Sequence, residues 1–155
     1  MQPGVFCLEK QIAIRASADA VFAFWADFHN FPKFIPLIHA VQVLDERHSR
    51  WIVRAPLGRT VEFDSKITEF SPGKRLCWET RHALGVSHGA LDFRESNGMT
   101  RVACRFDYRL MPRWLQRLAE IMRQLGFPSH SFDEGLRRIK REIEGGQAGP
   151  TSMSV

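Results

Sequence analysis

Between residues 41 and 110 the chain repeats one pattern, an apolar or alternating run closed by turn-forming residues, and this repetition restricts the fold more than any other feature. The runs are 41–44, 51–55, 61–70, 76–80, 90–95 and 102–110, separated at 46–49, 56–58, 71–74, 84–85 and 97–98. Residues two apart on a strand share a face, so the alternation marks half-buried strands, and the short gaps join them as an antiparallel meander. Asn97-Gly98 tolerates the positive φ angles of a tight hairpin, and Pro72-Gly73 sets another turn. The same parity assigns faces. Val61, Phe63, Ser65 and Ile67 point inward, as do Leu76, Trp78, Thr80 and His82. Gly89, Leu91 and Phe93 follow on the next run, then Val102, Cys104, Phe106, Tyr108 and Leu110 on the last.

A seventh strand precedes the meander, because Phe6, Leu8, Ile12 and Ile14 alternate with Glu9, Gln11 and Arg15. Ser17 and Asp19 offer oxygens to a helix start, with Val21, Phe22, Trp25 and Phe28 at helical spacing behind them. Pro32 and Pro36 limit the next helix to a turn or two. After Pro112 an apolar stripe runs through Trp114, Leu115, Leu118, Ile121, Met122 and Leu125. It is interrupted by Gly126-Phe127-Pro128 and resumes with Phe132, Leu136, Ile139 and Ile143. The spacing predicts two helical pieces sharing one buried face, which lies over the apolar face of the sheet. The expected class is α+β, as one domain over residues 1–144, with the Gly- and Ser-rich residues 145–155 as a disordered tail.

Folding a chain of 155 residues buries roughly 68–70% of its surface, enough for a core without staples. Twelve Phe and four Trp supply large apolar faces for that core or for a pocket wall. Cys7, Cys77 and Cys104 are odd in number and far apart, which fits a reducing compartment and no disulfide framework. No run reaches the length of a membrane span and no leader-like segment is seen, so the expected location is cytoplasmic. The net charge of +5 is scattered among acids, which argues for solvated surface and against specific nucleic-acid binding.

The six histidines lack paired metal-ligand spacing, so no metal and no cofactor is expected. No Ser or Cys sits in a nucleophile–base pattern, and Ser65 and Cys104 are read as small inward residues chosen for volume. Tyr108, the only tyrosine, is the inward polar group best suited to donate to a ligand carbonyl or to act as a weak acid. With His82 it is the only candidate for catalysis.

The segments AIRASADAVFAFWADFHNFPKFIP, RWIVRAPLGRTVEFDSKITEFSPGKRLCWET, GALDF and TRVACRFDYRL, in this order across roughly residues 6–144, resemble the START/Bet v1-like (SRPBCC) superfamily in its polyketide cyclase/dehydrase and lipid transport branch. The resemblance implies a helix-grip fold. A curved antiparallel sheet of about seven strands wraps around a long C-terminal helix, with two short helices after the first strand and a cavity between sheet and helix. Relatives bind lipids, sterols, isoprenoid quinones or polyketides, a few cyclise or dehydrate polyketides, and one branch includes a ribosome-associated toxin. Polyketide cyclases of the superfamily are thought to use pocket Arg and Tyr side chains, and no inward arginine is assigned here.

The expected ligand-binding residues are Phe63, Ser65, Ile67, Trp78 and Thr80 from the earlier strands, and Leu91, Phe93, Cys104, Phe106 and Tyr108 from the later ones. Leu118, Met122, Leu125 and Phe132 complete the set from the helices. The expected function is binding or transport of an apolar or amphipathic small molecule, with membrane-surface contact as a transient event in ligand exchange. A polyketide cyclase or dehydratase is the alternative, and a protein- or ribosome-interacting module with an incidental cavity is the third. Oligomeric state is left open.

Overall fold

The alternating runs pair in the order in which they occur. The computed structural model describes residues 5–54, 56–124 and 129–148. In it β1 (Val5–Ile14), β2 (Ile38–Val43), β3 (His48–Arg54), β4 (Thr60–Ser71), β5 (Arg75–His82), β6 (Gly85–Ser96) and β7 (Met99–Leu110) form one curved antiparallel sheet. Its order is β1-β7-β6-β5-β4-β3-β2, so the first two strands of the chain lie at opposite edges. The segment between them carries α1 (Ala18–Ala26), a single 3-10 turn (Phe28–Asn30) and α2 (Phe31–Phe34). Irregularities at Ile38/Ala40 and Ile67/Glu69 break the pairing register, and such bulges bend a sheet.

Local chemistry explains the joints. Asn97 and Gly98 take φ of 53° and 76°, which closes the β6–β7 hairpin. Ser17 caps α1 by accepting the Ala20 N–H at 3.2 Å, and Glu95 accepts the Ala18 N–H at 2.7 Å. β6 is longer than its sequence suggests, because Gly85, Ser87 and Gly89 carry little strand preference. Pairing with β5 on one side and β7 on the other holds them extended. Gly89 is required by its partner Trp78, since a Cβ at this position would overlap the indole ring.

The core is graded along the strands. At the end covered by α1, Ile14, Leu76, Leu91 and Val102 are fully buried, and Phe22 and Trp25 meet Phe93 edge-on at 5.2 and 6.1 Å. At the opposite end, where β3 passes to β4, β5 turns into β6 and β7 leaves the sheet, the inward residues Phe63, His82, Ser87, Phe106, Tyr108 and Leu110 are only half-buried.

The C-terminal stripe divides differently from the sequence expectation. α4 (Ser129–Ala148) buries Leu136, Ile139 and Ile143 in the core, whereas α3 (Arg113–Gln124) buries none of its residues. Leu118 and Met122 are therefore not interior residues but lie 40% and 37% exposed. The cause is the exit from β7. Gln116 donates to the Leu110 and Met111 carbonyls at 2.8 and 3.2 Å, which turns Leu115 and Ala119 toward the protein and the Trp114–Met122 side away. Leu125 lies outside the described residues. The helix of α4 also runs to Ala148, four residues into the segment expected as a tail, and residues 149–155 are outside the description.

Candidate functional site

Polar groups that the sheet turns inward form a row that runs from the buried Ser49, Ser65 and Thr80 to Ser87 and Tyr108 at the half-buried end of the concave face. Ser49 on β3, Ser65 on β4, Thr80 on β5, Ser87 on β6 and Tyr108 on β7 are consecutive cross-strand partners, so five hydroxyls form one row across five strands. The Ser49 oxygen accepts the Trp51 indole N–H at 2.9 Å, and Thr80 and Ser87 bond to each other. Ser65 is buried, and its hydroxyl has no partner among the described residues. Tyr108 stacks on Phe6 with ring centres 5.1 Å apart. Burial pushes its phenol pKa up, against an opposing pull from Arg123 and with a smaller push from Glu120, so it stands as a protonated donor at neutral pH.

His82 lies one pleat beyond this row. The Leu84 N–H donates to its Nδ1 at 3.0 Å, which leaves the proton of the neutral ring on Nε2. Its imidazole packs on Phe63 at 5.0 Å. Aromatic rings supply the remaining wall. Phe132 at the start of α4 stacks on Phe106 at 4.9 Å, and Phe106 meets Trp78 at 5.9 Å. Deeper in, Trp51 and Trp78 lie nearly parallel with centres 6.4 Å apart, and Phe28 and Phe31 pack against both. The gap bordered by Phe24, Trp25, Asn30, Phe31 and Ile139 is too narrow for a water molecule.

The expected ligand residues thus separate into two groups. Ile67, Trp78, Leu91, Phe93 and Cys104 belong to the packed core, where desolvation raises the Cys104 thiol to about 12 and keeps it protonated. Phe63, Phe106, Tyr108 and Phe132 stand half-buried, and the three phenylalanines pack against the edge of that core. Sequence reasoning missed Ser49 and Ser87. The signal existed, since each lies two residues before an inward-facing residue, Trp51 and Gly89. Among the described residues no group of three or more His, Cys, Asp or Glu side chains is arranged to hold a metal ion, and no helix is long and apolar enough to cross a membrane. An open groove of about 330 Å3 lies near the β2–β3 turn, lined by Leu44, Asp45, His48, Arg50 and Asp64 together with Ser49 and Ser65 from one end of the hydroxyl row. Its ionisable side chains are paired with one another, His48 with Asp45 at 2.9 Å and Arg50 with Asp64 at 3.2 Å.

Known proteins resemble this chain in sequence or in fold. A crystal structure from Deinococcus radiodurans is 30% identical and superposes with a TM-score of 0.72, covering 91% of this chain and 98% of its own. A 17.2 kDa protein of Streptomyces lincolnensis is 25% identical over 138 residues, 88% of this chain and 89% of the relative. The Zhui aromatase/cyclase from Streptomyces sp. R1128, at 15% identity, shares the fold with a TM-score of 0.72 over 91% of this chain and 94% of its own. The model of one family matches residues 5–144, nearly the whole described chain, and the chain therefore belongs to the polyketide cyclase/dehydrase and lipid transport family.

Proposed function

We propose that the protein binds an apolar molecule bearing at least one oxygen function, held at the half-buried end of the concave face and oriented by the hydroxyl row. The observation that carries this reading is the composition of that end. Rings of Phe63, Phe106 and Phe132 offer apolar area, and Thr80, Ser87, Tyr108 and the Nε2–H of His82 offer a few directed hydrogen bonds. Ligand sites are mostly apolar surfaces with a small number of placed polar groups. A fold relative that is an aromatase/cyclase is in keeping with a planar, oxygenated ligand.

A catalytic reading is less well supported by the same geometry. Proton abstraction beside a carbonyl needs a base, and the Leu84 amide occupies the one unprotonated nitrogen of His82. Tyr108 is held in its acid form. Both groups act as donors, which suits orientation of a carbonyl better than enolisation.

Native mass spectrometry of protein purified from its own host tests the proposal, with extraction and identification of any retained molecule. Ser87→Trp, which fills the half-buried end, should release that molecule and leave the thermal midpoint near the parent value. A parent protein that binds neither a host molecule nor an environment-sensitive apolar dye would overturn the reading.

A further inference from the structure

The outward face of α3 has no counterpart in a ligand site. Trp114, Leu118, Ile121 and Met122 form a continuous apolar strip on this helix, with Met111 just before it. Trp114, Ile121 and Met111 are 63%, 56% and 59% exposed. At 100° per residue Arg113 and Arg117 border the strip on its solvent side, while Leu115 and Ala119 face the protein. A second apolar tip points from the same end of the sheet. Leu57, 92% exposed, sits in the β3–β4 connection with φ 64° and is followed by Gly58 at φ 71°, a left-handed pair that holds its side chain away from the body. Arg54 and Arg59 flank it, and both are exposed.

We propose that this end of the protein docks on an anionic lipid bilayer surface, with α3 lying flat in the interface and Leu57 as a second insertion point. A helix of 12 residues is about 18 Å long, too short to span and well suited to lie in the headgroup region. Amphipathic interfacial helices carry Trp and Leu on one face and basic residues beside it, which is the arrangement here. Charge selects this occupant over a second copy of the chain. A symmetric pairing of two α3 strips would bring Arg113 and Arg117 of one copy toward those of the other, and like charges facing each other oppose association. Phosphate headgroups instead meet those arginines, together with Arg54 and Arg59, as counter-ions. Glu120, the nearest acid on the helix, is already engaged by Arg123, and Arg123 holds its carboxyl below the usual carboxylate range. The proposal concerns the surface and does not rest on what the concave face binds.

The structure supplies its own reporter. Trp25, Trp51 and Trp78 are buried, so Trp114 alone among the four tryptophans is free to change environment. Vesicles of phosphatidylcholine containing phosphatidylglycerol should blue-shift the emission and co-sediment the protein, while pure phosphatidylcholine vesicles should do neither. Ile121→Glu and Leu57→Glu should each weaken co-sedimentation without lowering the thermal midpoint, because both side chains are exposed. Arg113→Gln and Arg117→Gln should each reduce binding about five-fold. Absence of binding to the anionic vesicles, or equal binding to both kinds, overturns the proposal. So does a dimer in analytical ultracentrifugation that Ile121→Glu dissociates, which would assign the strip to a second copy.

Discussion

Tyr108 on β7 and Ser87 on β6 are direct partners across the sheet, and Ser87 shares a hydroxyl–hydroxyl bond with Thr80 on β5. Three hydroxyl-bearing residues from neighbouring strands therefore sit side by side on the inward face, next to the rings of Phe63, Phe106 and Trp78. The bonded Thr80–Ser87 pair and the longer-reaching Tyr108 phenol therefore offer polar contacts at different heights above the sheet to a ligand lying across these strands. A purely apolar molecule would gain nothing from this row and would desolvate it.

The contribution of the phenol can be isolated with a pair of ligands that differ by one hydroxyl. Tyr108→Phe keeps the ring on Phe6 and removes only the donor. It should narrow the preference for 2-naphthol over naphthalene about two- to ten-fold, the worth of one hydrogen bond, and leave the thermal midpoint within a few degrees of the parent. An unchanged preference in a fluorescence titration would remove Tyr108 from the site.

Leu136 tests whether α4 is the element that closes the core. It is 7% exposed within the main cluster, and Leu136→Ala should cost about 2–5 kcal/mol in urea unfolding through lost transfer energy and the void left behind. A cost below about half a kcal/mol, the range of surface positions, would mean that the helix does not pack there.

Leu91 separates core from ligand wall. Its side chain is fully buried, so Leu91→Trp has no vacant volume to enter and should destabilise by about 1–3 kcal/mol or more through displaced rotamers. Full stability with loss of dye binding would instead place Leu91 at an open pocket.

Glu144 joins the end of α4 to the end of β1. Its carboxylate accepts the Arg15 N–H at 2.8 Å and the Lys140 ammonium at 2.9 Å, and these contacts, the lysine first, hold its pKa below the ordinary value. A lowered folded pKa contributes stability that is complete above the ordinary carboxylate pKa and disappears as pH falls through the lowered one. Glu144→Gln should therefore reduce stability at pH 7 and flatten the loss between neutral pH and acid, as read from urea midpoints across that range. Parallel curves for parent and variant would contradict this linkage.

Thiol labelling gives an independent check on burial. Cys7 is exposed and Cys104 is buried with its thiol held at about 12, so iodoacetamide should modify Cys7 in the folded protein and Cys104 only on unfolding. Asp107, chiefly by accepting a hydrogen bond, raises the Cys7 thiol, and its labelling should quicken as pH rises above neutral. Rapid native labelling of Cys104 would show that the inward face of β7 opens readily.

Strand alternation was legible because each strand buries one face only. Val61, Phe63, Ser65 and Ile67 declare their side without any knowledge of partners, and the turns at Pro72-Gly73 and Asn97-Gly98 mark where the chain reverses. Helix periodicity is weaker evidence of place. The strip from Trp114 to Met122 has the same apolar spacing as Leu136, Ile139 and Ile143, yet only the second packs on the sheet. The difference comes from Gln116 and the Leu110 and Met111 carbonyls, a contact whose geometry no spacing encodes. The hydroxyl row was half visible. Parity placed Ser65, Thr80 and Tyr108 inward, but their alignment depends on strand register across five strands, and the bulge at Ile67/Glu69 shows how easily one irregularity would break such a count.

The placement of β1 has a consequence for biosynthesis. β1 is made first, yet its neighbour is β7, and the clasp that secures its end reaches Glu144, 129 residues further on. The hairpins from β2 to β7 can form from near neighbours as they emerge, whereas β1 has no partner until the sheet is almost complete. At ribosomal rates its alternating face of Phe6, Leu8, Ile12 and Ile14 waits roughly 5–20 s for closure. Nascent chains stalled before residue 110 should therefore be the species that chaperones hold and that aggregate when chaperones are scarce.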